Sequence, residues 1–155
     1  MDKQLHLSYG TIARSELSEQ ELRLESEALE AARKAYAPYS NFHVGAAVLL
    51  ENGQIVSGSN QENAAYPSGL CAERTTLFYA GAQYPEVAPL ALALVAINQA
   101  GRVPLITPCG ACRQVMLETA MRFRPYKVLL MGPEETLLIE DCRLLLPFAF
   151  DGSDL

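Results

Sequence analysis

From Leu90 to Ile97 every residue is leucine, alanine, valine or isoleucine. A strand with one wet face alternates apolar and polar residues, so a run without alternation must be covered on both faces. It predicts an inner strand whose sheet carries helices on either side. The run is too short to cross a bilayer, which takes about 20 apolar residues in a helix. The early part of the chain carries acids where a secretory leader would be apolar, so a cytoplasmic protein is expected.

Local signals supply the other elements. Ser18 and Glu21 make a capping box, and Leu17 and Leu22 stand where a hydrophobic staple would close over it. A helix is expected from there to about Tyr36, with Pro38 stopping it. Val44 to Leu50 and Gln54 to Gly58 read as strands joined by the turn pair Asn52-Gly53. A loop from Ser59 to Leu70 leads into a helix over Cys71 to Ala82. After the apolar strand, Asn98 to Gly101 form a turn, and Thr107 as N-cap with Pro108 at the first helical position opens a helix to about Phe123. Tyr126 to Met131 and Thr136 to Ile139 are strands parted by a turn at Glu134 and Glu135. The order predicts an α/β chain, a three-layer α/β/α fold on a mixed five-stranded sheet.

With 155 residues, 50% of them apolar and 19% charged, the chain has the size and core of one domain. Residues 1–16 are expected to be a loosely ordered extension and 17–155 a single domain. Twelve basic against eighteen acidic residues give a net charge of −6 with no basic run. That is a poor footing for a polyanion, so neither nucleic acid nor a membrane is an expected partner.

Cys71, Cys109, Cys112 and Cys142, in a chain without an export signal, are expected to be reduced, which favours metal binding or thiol chemistry over disulfides. Three of them fall at or near predicted helix starts, where the dipole and free N–H groups favour thiolate. Cys109 and Cys112 are three apart, so both sulfurs lie on one helix face, and Cys71 can add a ligand from another helix. Three thiolates on Zn²⁺ leave one tetrahedral position open for water, the feature that separates a catalytic from a structural zinc. Cys142 would close the site as a fourth ligand, but it has no partner at ligand spacing and is read as a small core residue. Glu73, two residues past Cys71, suits a proton shuttle; taken alone it is equally a first-turn acid stabilised by the dipole. Arg74 can donate to a thiolate and draw negative charge off the metal, the alternative being a surface ion pair.

Cys71-Ala72-Glu73-Arg74 followed by Pro108-Cys109-Gly110-Ala111-Cys112-Arg113-Gln114 resembles the homotetrameric zinc-dependent cytidine deaminase family. The likeness runs from about Ala35 to Phe150. Tyr39-Ser40-Asn41-Phe42-His43-Val44-Gly45-Ala46-Ala47 resembles the segment whose phenylalanine packs on the pyrimidine. Asn60-Gln61-Glu62-Asn63-Ala64-Ala65-Tyr66 resembles the segment whose first asparagine and glutamate hold the ribose, and Leu145-Leu146-Pro147-Phe148-Ala149-Phe150 the C-terminal signature. The chain departs from the pattern at His43, where proline is usual, and at Thr107, where serine is common.

The resemblance implies hydrolytic deamination of cytidine and deoxycytidine to uridine, deoxyuridine and ammonia, within pyrimidine salvage. It implies one Zn²⁺ per chain on Cys71, Cys109 and Cys112, with Glu73 carrying protons between water, the base and the leaving amine. Phe42, Asn60, Glu62 and Ala64 become expected substrate contacts, and Ala72 and Thr107 positioning groups. Arg74 supports the metal. Tyr66 and Phe150 are expected to serve a neighbouring subunit's site in a homotetramer. Three rivals remain: a blasticidin S-type nucleoside-antibiotic deaminase, thiol–disulfide exchange at Cys109-Gly110-Ala111-Cys112, and a non-catalytic structural module with zinc on four cysteines.

Overall fold

Both faces of the apolar strand are covered, as its composition requires. A computed structural model describes residues 1–153 and 155 of the chain. Its strands are β1 (Gly10–Ala13), β2 (His43–Leu50), β3 (Ile55–Ser59), β4 (Pro89–Asn98), β5 (Gly101–Arg102), β6 (Lys127–Met131) and β7 (Glu135–Ile139). They form one sheet in the order β1-β7-β6-β4-β2-β3, with β5 paired to the end of β4. β4 and β6 are parallel, and the other pairs are antiparallel. Helix α1 (Glu19–Arg33) covers one face, while α2 (Ala72–Gln83) and α3 (Gly110–Arg122) cover the other. No helix among the described residues is long and apolar enough to cross a membrane.

Alternation on the inner strands divides the core into two layers. Val44, Ala46, Val48 and Leu50 of β2 and Leu92, Leu94 and Ala96 of β4 face α2 and α3. Ala47 and Leu49 of β2 and Ala91, Ala93 and Val95 of β4 face α1. Each fully buried aliphatic side chain of leucine or valine size contributes roughly 1.5–3 kcal/mol. Gly45 lets α1 approach most closely: a Cβ there would lie 1.9 Å from the Ala28 carbonyl oxygen and 2.6 Å from the Ala32 nitrogen. Across the sheet, Gly58 leaves room for Thr76, whose Oγ1 donates to the Ala46 carbonyl and seats α2 on β2.

The fold class agrees with expectation, but the sheet has seven strands where five were expected. The two additional strands, β1 and β5, have four and two residues, too few to carry a period. β1 comes from the segment expected to be loosely ordered. It pairs with β7, and the Arg14 N–H donates to the Glu134 carbonyl at 2.8 Å, so that within residues 1–16 only 1–9 lie outside regular structure. Asp154, within the expected domain, lies outside the described residues.

Two helix ends differ as well. The capping box forms as read, with the Glu21 N–H donating to Ser18 Oγ and the Ser18 N–H to Glu21 Oε2. α1 nevertheless stops at Arg33, because the backbone of Tyr36 is taken by the loop: its N–H donates to the Asn60 carbonyl, and its carbonyl accepts from Glu62. α3 starts two residues late, capped by Cys109 rather than Thr107, and the Pro108 carbonyl accepts from the Arg113 side chain. At the end of α1 a long-range partner overrides the local signal; at the start of α3 the competing bond comes from five residues on in the same helix.

Candidate active site

α2 and α3 lie side by side on the sheet with cysteines at their starts. Cys71 and Cys109 are the N-cap residues, and neither side chain caps the backbone of its helix, which leaves both sulfurs free for other partners. Cys112 is the third residue of α3. The Cys71 and Cys109 sulfurs are 3.7 Å apart and those of Cys109 and Cys112 3.5 Å apart, all three lying within 4.8 Å of one another. Zinc–thiolate bonds of about 2.3 Å in a tetrahedron put sulfurs about 3.8 Å apart, so the trio fits zinc. Cys142 stands apart, buried, with its thiol directed at the Met116 carbonyl.

Local electrostatics favour a ligand-ready thiolate. The Cys71 thiol is pushed down to about 5, first by its hydrogen bond with Cys112 and also by the Arg74 guanidinium, against the effect of burial. The hydrogen bond with Cys71 and burial push Cys112 up. Arg74 Nη2 donates to Cys71 Sγ at 3.6 Å, while its buried Nε has no partner among the described residues. Glu73 is 4% exposed, and burial pushes its carboxyl up to about 7, with the nearby Cys71 charge adding to the effect. A carboxyl held there takes up and releases protons at neutral pH.

A cavity of about 490 Å³ opens beside Cys71 and Arg74. Pockets of this size hold small organic ligands. Asn60, Glu62 and Tyr66 of the expected contacts line it, together with Tyr39 and Ser40. Glu62 accepts from the N–H groups of Tyr39 and Ser40 and from the Ser40 hydroxyl, which holds its carboxyl below the usual range. Asn60 Oδ1 accepts from the Val44 N–H at 2.8 Å, and Nδ2 donates to the Phe42 carbonyl at 2.9 Å, tying the cavity wall to the start of β2. Tyr66, 77% exposed, stands edge-on to Tyr39 with ring centroids 6.0 Å apart.

The remaining expected contacts are not among the cavity-lining residues. Phe42 is half-buried against the core, Ala72 is buried as the first residue of α2, and Ala64 and Thr107 are exposed. Phe150 is 67% exposed, its carbonyl accepting from Gln114 Nε2. The part played by Tyr39 and Ser40 was missed. Their backbone N–H groups, with the Ser40 hydroxyl, hold Glu62, and backbone donors carry no residue-type signal.

Residues 18–127 match the family model of the cytidine and deoxycytidylate deaminase zinc-binding region. A cytidine deaminase of Halalkalibacterium halodurans is 40% identical over 133 residues, which is 85% of this chain and 95% of that protein. One from Sporosarcina psychrophila is 43% identical over 135 residues, covering 86% and 93% of the two chains. Among solved structures, the cytidine deaminase of Burkholderia pseudomallei matches with a TM-score of 0.70 at 40% identity, covering 86% of this chain and 100% of the other. The Mycobacterium tuberculosis cytidine deaminase gives 0.65 at 33% identity, covering 86% and 98%.

Proposed function

The chain belongs to the cytidine deaminase family, and from that premise we propose which of its residues carry out the deamination of cytosine nucleosides. It is a zinc-dependent hydrolase acting on cytidine. The observation that carries the assignment is the convergence of Cys71, Cys109 and Cys112 beside the buried Glu73, with Cys71 itself lining the cavity.

Cys71, Cys109 and Cys112 would hold the metal. Zinc in that position supplies the Lewis acidity that makes water a nucleophile at neutral pH. Glu73 takes one proton from the attacking water and delivers it to N3 of the cytosine ring, then takes the second from the new C4 hydroxyl and delivers it to the exocyclic nitrogen. A C4–O bond forms and the C4–N bond breaks; the proton on N3 stays on the uracil ring, and ammonia leaves with the one proton delivered to its own nitrogen. The Ala72 N–H, a free donor at the start of α2, and the Thr107 carbonyl orient the base. Phe42 offers its ring face to the pyrimidine.

Asn60 and Glu62 receive the ribose hydroxyls, with Ala64 alongside, and the Glu62 charge disfavours a 5′-phosphate, so nucleosides rather than nucleotides are the substrates. Tyr66 and Phe150, large aromatics left exposed on one chain, are suited to burial by a neighbouring subunit. A homotetramer with shared sites is our reading, working in the cytoplasm in pyrimidine salvage, with a catalytic domain that includes β1.

Ammonia release and the ultraviolet change on adding cytidine, deoxycytidine, their 5′-monophosphates and blasticidin S to zinc-quantified protein test this reading. Turnover of the two nucleosides alone is the expected result. Turnover of blasticidin S alone, or of nothing at full zinc occupancy, overturns it.

A further inference from the structure

Each helix of the metal site begins with a cysteine that leaves it without a side-chain cap, and in each a later residue reaches back to the start. On α2, Thr75 Oγ1 donates to the Cys71 carbonyl at 3.1 Å. On α3, Arg113, four residues past Cys109, reaches further: Nε donates to the Pro108 carbonyl at 2.8 Å and Nη1 to the Leu145 carbonyl at 3.0 Å. The Pro108 carbonyl belongs to the planar peptide that leads into Cys109, so the first bond fixes the plane from which that ligand departs. The second bond runs to buried Leu145, the last residue of a 3₁₀ turn (Cys142–Leu145) that opens the C-terminal segment. Gln114 holds the far end of that segment through its bond to the Phe150 carbonyl at 2.8 Å.

No carboxylate among the described residues pairs with Arg113. Its two carbonyl partners belong to segments 37 residues apart, which a rigid fork of donors can join and a single ammonium cannot with the same geometry.

We propose that Arg113 is a positioning residue that locks the Cys109 loop to the C-terminal segment, so that zinc retention and the placement of Phe150 depend on one guanidinium. The inference rests on the assignment of zinc to the three cysteines. Arg113 acts through the Pro108 peptide, as groups behind metal ligands do when they hold a ligand in its bound orientation.

The test is zinc release from the native protein to a chromogenic chelator, in the parent, R113M, R113K and L24A. Leu24 is buried in α1 on the opposite face of the sheet, so L24A controls for lost stability. R113M should release zinc about tenfold faster than the parent, the size expected for loss of a group behind a metal ligand. R113K should fall between, and L24A should match the parent. R113M should also raise KM for cytidine, with kcat per bound zinc close to the parent's. Equal release from R113M and the parent overturns the inference, as does equal acceleration in R113M and L24A. If R113M does not accumulate folded, R113K against L24A decides by the same criterion. A zinc assay on the parent comes first: a parent that holds no zinc overturns the metal assignment and the inference together.

Discussion

Arg74 Nη2 stands 3.6 Å from Cys71 Sγ, three residues back across the start of α2. A guanidinium at a thiolate withdraws electron density that the sulfur would otherwise give to the metal. Arg74→Gln keeps a donor but removes the charge. It should keep zinc while lowering kcat by about 10-fold or more, with KM little changed. Steady-state kinetics per bound zinc check this, and an unchanged kcat would reduce Arg74 to a surface cation.

Glu73→Gln preserves the shape of a buried side chain and removes its ability to exchange protons. Zinc content and thermal midpoint should stay near the parent's, while cytidine turnover falls by about 100-fold or more. Retained turnover would assign proton transfer to another group.

Cys142→Ser tests whether the metal site is open. Cys142 is 1% exposed and its sulfur lies 3.9 Å from the Met116 carbonyl, away from the three-cysteine cluster. A serine hydroxyl can donate to that carbonyl, so the cost should be about 1 kcal/mol with zinc stoichiometry unchanged. Loss of zinc would restore the four-cysteine structural module.

On α1, Glu25 is 1% exposed and accepts from two arginines. Arg102 Nη1 reaches it at 2.8 Å, and Nη2 also donates to the Met131 and Gly132 carbonyls, so this guanidinium joins α1, β5 and the end of β6. Arg14 contacts the same carboxylate from a half-exposed position. Arg102→Met should cost about 3 kcal/mol, because it weakens a buried pair and frees two carbonyls. Arg14→Met should cost clearly less, because its half of the pair is screened by solvent. Urea midpoints at unchanged m-value measure both, and equal costs would contradict the burial argument.

The capping box carries a pH signature. Burial pushes the Glu21 carboxyl up, but bonds from the Ser18 N–H and hydroxyl, together with Lys127, outweigh it and hold the group below the ordinary glutamate range. A carboxyl lowered by folding stabilises fully above its unfolded pKa, about 4.3, and loses that contribution as pH falls through its folded value. The thermal-midpoint gap between the parent and Glu21→Gln should therefore be constant above about pH 5 and narrow below it. A gap that widens in acid would reverse the sign. Ser18→Ala should cost about 1 kcal/mol.

Much of the site was legible because its chemistry is local. Cys109 and Cys112 share a helix face by spacing alone, and the start of a helix is an address that Cys71 also occupies. The cradle of Glu62 was not legible, because its donors include the backbone N–H groups of Tyr39 and Ser40, more than 20 residues back in the chain. The Asn60 side chain likewise bridges Val44 and Phe42, which only the folded loop brings within reach.

The sequence by itself determined the three helices, the five longer strands and their covered faces, because hydrophobic period, caps and turn residues act within a few positions of one another. Tertiary structure alone decided the pairing of β1 with β7, the early end of α1 at Arg33, and the bridge that Arg113 makes to Leu145. Each of these turns on a backbone donor or acceptor finding a partner far away in the chain. Such groups are the same in every residue but proline, so no local pattern records where they go.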